Sequence, residues 1–164
     1  MHLTFNATVG GDAATSYVTI GNANTYFSST PTVANSTAWA SQTSSTKQVL
    51  LMAATRNIDK HYFFGEKASE EQALQFPRAH QTSTTTIPVD IEYATCEEAF
   101  QLLQLQTRPG LNEARRAQEQ GIKSEKYGHT AVEYTGSYQG RFLNSMKAFD
   151  YMQEWLLKAG DFCR

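Results

Sequence analysis

The stretch STKQVLLMAATRNIDKHYFFGEKASEEQALQFPR, residues 45–78, decides how the rest of the chain is interpreted. Apolar side chains recur in it at the spacing that places them on one face of a helix. They are Leu51, Ala54, Ile58 and Tyr62, with Leu50 and Ala53 beside them. A hydroxyl of Ser44, Ser45 or Thr46 can cap the start of this helix. Gly65 predicts its end, because a residue past a helix often needs a positive φ.

The same stretch contains charged residues that can form ion pairs and a proline that restricts the backbone before it. Arg56 and Asp59 are three residues apart on the predicted helix, close enough to pair or to reach other elements. Residues 69–74 predict a short capped turn of helix. Phe76 precedes Pro77, which pushes Phe76 toward an extended conformation.

A second long helix is predicted from residues 87–88 to about Gln106, just before the breaker Arg-Pro-Gly at 108–110. Its apolar stripe consists of Cys96, Ala99, Phe100 and Leu103, with Leu102 beside it. Packing the two striped faces together hides both from water. Of two adjacent glutamates, we expect Glu98 to face water. We expect Glu97 to meet a cation, Arg56 or Arg78, in a network that sets helix register.

Shorter patterns predict the elements that come before these helices. Residues 1–15 form an N-terminal arm or a short strand, and residues 16–20 alternate as a brief strand. A short helix runs from about residue 22 to residue 28. Residues 28–46, rich in Ser and Thr, form a loop. Trp39 either pins that loop to the core or serves as a partner hot spot.

The last third of the chain is predicted to be an appendage followed by a helix. Residues 107–140 form an extended loop and hairpin lobe, with a β-hairpin between about 123 and 135. Residues 141–164 form a C-terminal helix and tail. The apolar face of that helix is wide, so part of it is expected to meet another subunit. The whole, 1–164, is one mainly α (α+β) domain, a small helical bundle with a hairpin.

Composition excludes several classes of protein. The 164 residues carry a net charge of −2, which argues against a surface built throughout to neutralise phosphates. No secretion signal and no run of 18 apolar residues is present, so a membrane partner is not expected. Two cysteines, Cys96 and Cys163, are expected to be reduced.

Chemical motifs are missing as well. The four histidines do not have metal-ligand spacing, and no phosphate-binding or nucleophile motif occurs. We therefore expect no catalytic residue, no metal and no cofactor, and we do not expect the protein to be an enzyme. The basic residues between 108 and 126 alternate with glutamates, and aromatic side chains that could stack on bases are few there. That segment is interpreted as a solvated surface, or as a lobe lying near DNA or a partner.

Several short motifs resemble a family of tailed-phage proteins. They are Ser16-Tyr17-Val18, Tyr26-Phe27, Ala53-Ala54-Thr55-Arg56, Ile58-Asp59, Gln72-x-Leu74-x-Phe76-Pro77-Arg78, Ile87-Pro88 and Ala94-x-Cys96-Glu97-x-Ala99. The family is that of head–tail connector (adaptor, head-completion) proteins, often labelled DnaT-like ssDNA-binding proteins. Phe76 stands where that family usually has Trp, so apolar packing is kept and an indole N–H donor is lost.

The resemblance implies a virion structural protein, made in the cytoplasm of a bacterial host. Copies would form a ring, usually of twelve, below the portal protein. The ring would dock the tail or the next connector and extend a channel that genomic double-stranded DNA crosses with weak contact. The resemblance also implies that Arg56, Asp59, Glu97 and the Phe76-Pro77-Arg78 run form the structural core.

A closed ring needs two different patches on each copy. The candidates are the last helix with its tail and the polar 107–126 segment. They supply Phe149, Trp155, Leu156, Phe162, Arg164, Arg115 and Arg116. The competing hypotheses are a single-stranded-DNA-binding module and another head or tail completion protein.

Overall fold

The computed structural model of the chain describes residues 4–29, 33–79, 85–108, 124–127, 130–133 and 143–157. Within these ranges the protein is mainly helical, which confirms the predicted fold class. The elements are α1 (Ile20–Ser29), α2 (Val33–Ala40), α3 (Ser44–Asp59), α4 (Val89–Thr107), β1 (Ser124–Tyr127), β2 (Thr130–Glu133) and α5 (Met146–Met152). No helix in the described ranges is long and apolar enough to cross a membrane.

Helices α3 and α4 pack against each other and form the centre of the core, as predicted. The predicted stripes are buried on both helices, except for Tyr62. Helix α4 ends at Thr107, one residue past the predicted end. The prediction for Glu98 was wrong, because its side chain is 0% exposed between α4 and neighbouring elements.

Helix α3 differs from its prediction at both ends. Its N-cap is Thr43, whose hydroxyl accepts from the backbone N–H of Thr46 at 3.2 Å. It ends at Asp59, well before Gly65. Gly65 does have a positive φ of 82°, but in the segment that follows the helix. Because the helical register stops earlier, Tyr62 leaves the stripe and is 80% exposed.

The N-terminal region contains more helix than its composition indicated. Residues 16–19 are not a strand, and Ile20 already begins α1. The predicted 28–46 loop contains α2, whose Trp39 is buried. The Trp39 ring lies 4.6 Å from that of Phe27, and its Nε1 donates to Asn24 Oδ1 at 3.0 Å. The prediction that Trp39 pins this region to the core is confirmed, and its packing outweighs the low helix preference of the Ser and Thr neighbours.

Residues 60–79, called here the 60–79 segment, fold back on themselves without the short helix predicted at 69–74. Backbone bonds join Ala68 N to Pro77 O at 3.0 Å and Ala79 N to Glu66 O at 2.9 Å. The buried Gln72 side chain accepts from Ser69 N at 3.1 Å and donates to Leu74 O and Pro77 O. The Gln72 amide thus pairs with backbone groups of a segment that has no helical hydrogen bonds. The Phe76–Pro77 peptide bond is cis.

The C-terminal part returns to this segment. Strands β1 and β2 pair antiparallel, which confirms the predicted hairpin, and helix α5 then packs on α4. Beyond α5, Phe64 N donates to Trp155 O at 3.0 Å and Leu157 N donates to Tyr62 O at 2.9 Å. The chain therefore ends its described part paired with the 60–79 segment.

Candidate functional site

Arg78 is a buried cation that collects backbone carbonyl oxygens. Its guanidinium donates to Phe64 O at 2.8 Å, Phe63 O at 3.1 Å, Gln75 O at 3.2 Å and also to Gly65 O. Its Cζ lies within 6 Å of the ring centres of Phe63 and Phe76. Burial lowers the pKa of Arg78, although a guanidinium remains protonated in proteins. One side chain thus holds both arms of the 60–79 segment together.

Beside it, Asp59 connects the end of α3 to two other segments. Its carboxylate accepts from the Tyr17 hydroxyl and from Gln75 N at 3.4 Å. Gln75 N also donates to Tyr17 Oη at 3.0 Å. Burial raises the pKa of Asp59, and burial together with the neighbouring carboxylate raises the pKa of Tyr17. Arg56, the partner considered for Asp59 in the sequence, is exposed on α3.

Phe76 packs among three aromatic rings. Its centre lies 4.8 Å from Phe63, 5.7 Å from Trp155 and 5.9 Å from Tyr17, all close to edge-on. Such geometry is favourable for aromatic pairs. The Phe76-Pro77-Arg78 run is therefore buried scaffold, with the ring inside and the cation tying the backbone.

Glu98 holds the chain ahead of α5. It accepts from Asn57 Nδ2 and Asn144 N at 2.8 Å, from Ser145 N at 2.9 Å and from Asn144 Nδ2. Ser145 in turn caps α5 by accepting from Ala148 N at 3.1 Å. One buried carboxylate therefore joins α3, α4 and the start of α5.

Its neighbour Glu97 pairs with Lys147 and not with Arg56 or Arg78. Lys147 Nζ lies 2.5 Å from Glu97 Oε1, and the Tyr26 hydroxyl donates to the same oxygen at 2.5 Å. The expected partners were wrong because Arg78 is occupied by carbonyls and Arg56 faces water. Burial and then the bond to Glu97 raise the pKa of Tyr26.

A surface of tyrosines lies around this ion pair. The ring of Tyr93 is 4.8 Å from that of Tyr26 and 5.6 Å from that of Tyr151. Val89, one turn before Tyr93 on α4, is 55% exposed. We call this surface, formed by Tyr26, Val89, Tyr93 and Tyr151, the tyrosine face. On the same helix as Tyr93, Glu92 is half-buried and accepts from Asn22 Nδ2 at 3.5 Å, and burial raises the pKa of Glu92.

A second aromatic surface lies on residues 60–67, called here the 60–67 loop. Phe63 forms a bridge with Leu156 and is buried. Tyr62 and Phe64 therefore point to the other side, because side chains alternate along extended backbone. They are 80% and 51% exposed. Lys60 and Lys67 flank them in the chain.

The polar residues that carried the resemblance are used for structure rather than grouped for chemistry. Asp59, Arg78 and Glu97 hold backbone or side chains of other elements. Within the described ranges no group of three His, Cys, Asp or Glu side chains could hold a metal ion. Cys96 is buried, and burial raises the pKa of its thiol.

The residues proposed for a subunit interface either pack partly against the core or lie outside the described residues. Phe149, Trp155 and Leu156 are half-buried against the protein's own core, so a contact with a neighbour could use only the part of each that stays exposed. Arg115, Arg116, Phe162 and Arg164 lie outside the described residues, as does most of the 107–126 segment. That they form an interface stays a prediction.

Sequence reasoning missed Glu98, Lys147 and the tyrosine face. The spacing of Val89 and Tyr93, four residues apart on a predicted helix, was an available signal for the face. Nothing in the local sequence distinguishes Glu98 from a solvated glutamate.

The described residues form a small, mainly helical protein whose buried Arg78 and Glu98 hold the backbone of other segments. A family profile described as "Putative DnaT-like ssDNA binding protein" matches residues 1–162. The chain belongs to this family. No curated protein and no solved structure matches it.

Proposed function

We propose that this chain is a virion structural protein, a head-to-tail adaptor that forms a ring below the portal of a tailed phage. The ring extends the DNA channel and docks the tail or the next connector. The motif resemblance suggests this role. The polar residues of those motifs fit a scaffold, since they hold the 60–79 segment and α5 in place.

The observation that carries the proposal is the presence of two separate aromatic surfaces on one copy. Monomeric proteins seldom leave side chains such as Tyr62, Phe64 and Tyr93 exposed in groups without a use. A closed ring needs two unlike surfaces, because each contact joins one patch to a different patch on the neighbour. The 60–67 loop and the tyrosine face are two such surfaces.

Locating the chain in purified particles tests the proposal. We expect many copies at the vertex between head and tail, arranged as a ring in a particle reconstruction. Particles that lack the gene product are expected to contain heads without attached tails. Absence of the chain from purified particles would overturn the proposal, and a position inside the tail would favour another completion protein.

A second candidate, single-stranded DNA binding, is favoured by the 60–67 loop. Exposed Tyr62 and Phe64 follow the exposed Lys60 in the chain and combine stacking rings with a cation, as single-strand binders do. A net charge of −2 favours the adaptor, since a channel that lets DNA slide should hold it weakly.

A salt titration of binding to a fluorescent single-stranded oligonucleotide separates the two functions. A single-strand binder would show strong affinity that falls steeply with salt. The adaptor is expected to bind weakly at every salt concentration. Tight binding that the Y62S/F64S double variant abolishes would favour the second candidate.

A further inference from the structure

We infer that residues 153–157, called here the latch, open and close as a unit while the helices of the core stay folded, and that the unpaired indole N–H of Trp155 favours opening. This inference goes beyond the proposed function, because it concerns a conformational device built into the fold. The position of the latch decides whether the backbone edge at residues 62–64 is covered.

Few hydrogen bonds hold the latch to the rest of the protein. It follows α5, which ends at Met152. Two backbone bonds join it to the 60–67 loop, from Phe64 N to Trp155 O at 3.0 Å and from Leu157 N to Tyr62 O at 2.9 Å. Opening therefore breaks two bonds to the loop and leaves α5 intact.

The latch is also less buried than the helix before it. Its apolar side chains, at positions 155–157, are half-buried. On α5, Ala148 and Met152 are 0% exposed. A segment that buries little apolar surface opens locally at a lower free energy than the core does. Separation of the latch from the loop is therefore less costly than separation of α5 from α4.

Closure of the latch buries a hydrogen-bond donor that lacks an acceptor. The indole of Trp155 packs edge-on against Phe76, with ring centres 5.7 Å apart. Its Nε1 is buried and has no hydrogen-bond partner among the residues that the structure describes. A buried donor without an acceptor has lost its bond to water, so this group favours the open state, in which water reaches the indole.

The surface beneath the latch is held by other contacts. Arg78 donates to the carbonyl oxygens of Phe63 and Phe64, so the loop keeps its backbone course when the latch leaves. The open state then presents the Phe64 N–H, the Tyr62 carbonyl and the ring of Phe63, which forms a bridge with Leu156 when the latch is closed. The latch thus controls access to an edge that is already formed.

Amide hydrogen exchange of the full chain, followed by NMR at several low urea concentrations, tests the inference. The amides of Phe64 and Leu157 report latch opening, and the amide of Ala99 in α4 reports unfolding of the core. We expect Phe64 and Leu157 to share one protection factor, at least about tenfold below that of Ala99. Urea should change their exchange little and that of Ala99 strongly, because latch opening exposes little surface.

Two results of this experiment would overturn the inference. Equal protection and equal urea dependence of all three amides would mean that the latch opens only when the whole protein unfolds. Unequal protection of Phe64 and Leu157 would mean that the latch does not move as a unit.

Replacement of the Trp155 indole by benzothiophene tests the role of the unpaired N–H. Benzothienylalanine, introduced at this one position by codon suppression, keeps the ring shape of Trp and has sulfur in place of the N–H group. The closed state then no longer buries an unpaired donor. Exchange of the Phe64 and Leu157 amides should therefore slow by roughly fivefold or more. Unchanged or faster exchange would overturn the inference.

The matched control is the same replacement at Trp39, the other tryptophan of the chain. Its Nε1 donates to Asn24 Oδ1 at 3.0 Å, so removal of this N–H should not slow exchange at Phe64 or Leu157. Slower exchange at these two amides after either replacement would mean that the sulfur ring itself, and not the loss of an unpaired donor, is responsible. That result would also overturn the inference.

Discussion

Arg78 and Glu98 solve the same problem with opposite charges. Arg78 gathers carbonyl oxygens of a segment that has turned back on itself, where acceptors lack helical partners. Glu98 gathers N–H donors of the residues ahead of α5, where donors lack partners. In each place the sign of the buried charge matches the backbone groups that would otherwise be unpaired.

The comparison shows why these charges can stay buried. A buried ion is costly unless its hydrogen-bonding capacity is filled. Each of the two ions makes several bonds, mostly to groups fixed by the fold. Both therefore hold structure, and neither is left to bind a ligand.

Removal of the Arg78 cation is expected to have the largest effect on stability. Arg78→Met removes the donor from four carbonyls, one buried and three part-buried, and should lower the free energy of unfolding by about 3–5 kcal/mol. Arg78→Lys should recover only part of this, because an ammonium lacks the planar fork. Urea unfolding of both variants measures the difference. A loss below about 1 kcal/mol for Arg78→Met would show that water replaces the guanidinium.

Removal of the charge on Glu98 should destabilise the protein nearly as much. Glu98→Gln keeps the shape but turns an N–H₂ group toward N–H donors, and should cost about 2–4 kcal/mol of unfolding free energy. The matched control is Glu97→Gln on the same helix, whose partner Lys147 is 53% exposed. Hydrogen exchange should show early opening of α5 in Glu98→Gln only. Equal losses in the two variants would mean that the N–H donors held by Glu98 do not decide the cost.

The ion pair between Lys147 and Glu97, whose side chains are 53% and 8% exposed, sharpens the comparison further. Lys147→Met leaves Glu97 with its bond from Tyr26, so we expect a loss of about 1 kcal/mol or less. The loss should shrink at high salt, because the pair is partly exposed. Thermal unfolding at low and high salt checks this, and a loss as large as that of Glu98→Gln would contradict it.

The smallest expected effect is a pH dependence of stability that arises at Asp59, next to the segment that Arg78 holds. The folded protein raises the pKa of Asp59 above its ordinary value of 3.8, so it binds that proton more tightly than the unfolded chain. This contribution to stability is present below the unfolded pKa and is lost as pH rises through the folded pKa. The Asp59→Asn variant lacks this contribution. The stability of the variant should therefore fall less than that of the wild type as pH rises over the same acid range.

Tyr17→Phe gives the opposite change at the same place. It removes an O–H that favours the ionised carboxylate, so the folded pKa of Asp59 should rise further. The decline in stability should then extend to higher pH than in wild type. Urea unfolding at a series of pH values follows all three proteins, and parallel curves would contradict this assignment.

The predictions from sequence succeeded where an apolar pattern was long and failed where a polar contact decided. The stripe of α4, from Cys96 to Leu103, is regular over about two turns, and the bounds of the helix were predicted within two residues. Helix α2 was missed because its Ser, Thr and Asn residues resemble a loop until Trp39 is packed. The end of α3 was misplaced because an apolar pattern at helical spacing continues to Tyr62.

The candidate site was less predictable. The sequence identified Asp59, Phe76, Arg78 and Glu97 as structural, although Arg78 and Glu97 have other partners than expected. Glu98 required knowledge of three other elements, since its donors come from Asn57, Asn144 and Ser145. The 60–67 loop became an aromatic surface only because pairing with residues 155–157 made it extended.

The sequence by itself determined the two striped helices, the hairpin and the family, because repeated spacing and short motifs are local properties of the chain. Only the tertiary structure decided which charges are buried, which carbonyls Arg78 holds and which tyrosines remain outside. Those outcomes depend on which backbone groups lack partners after the helices pack, and residues distant in sequence supply the missing donors and acceptors.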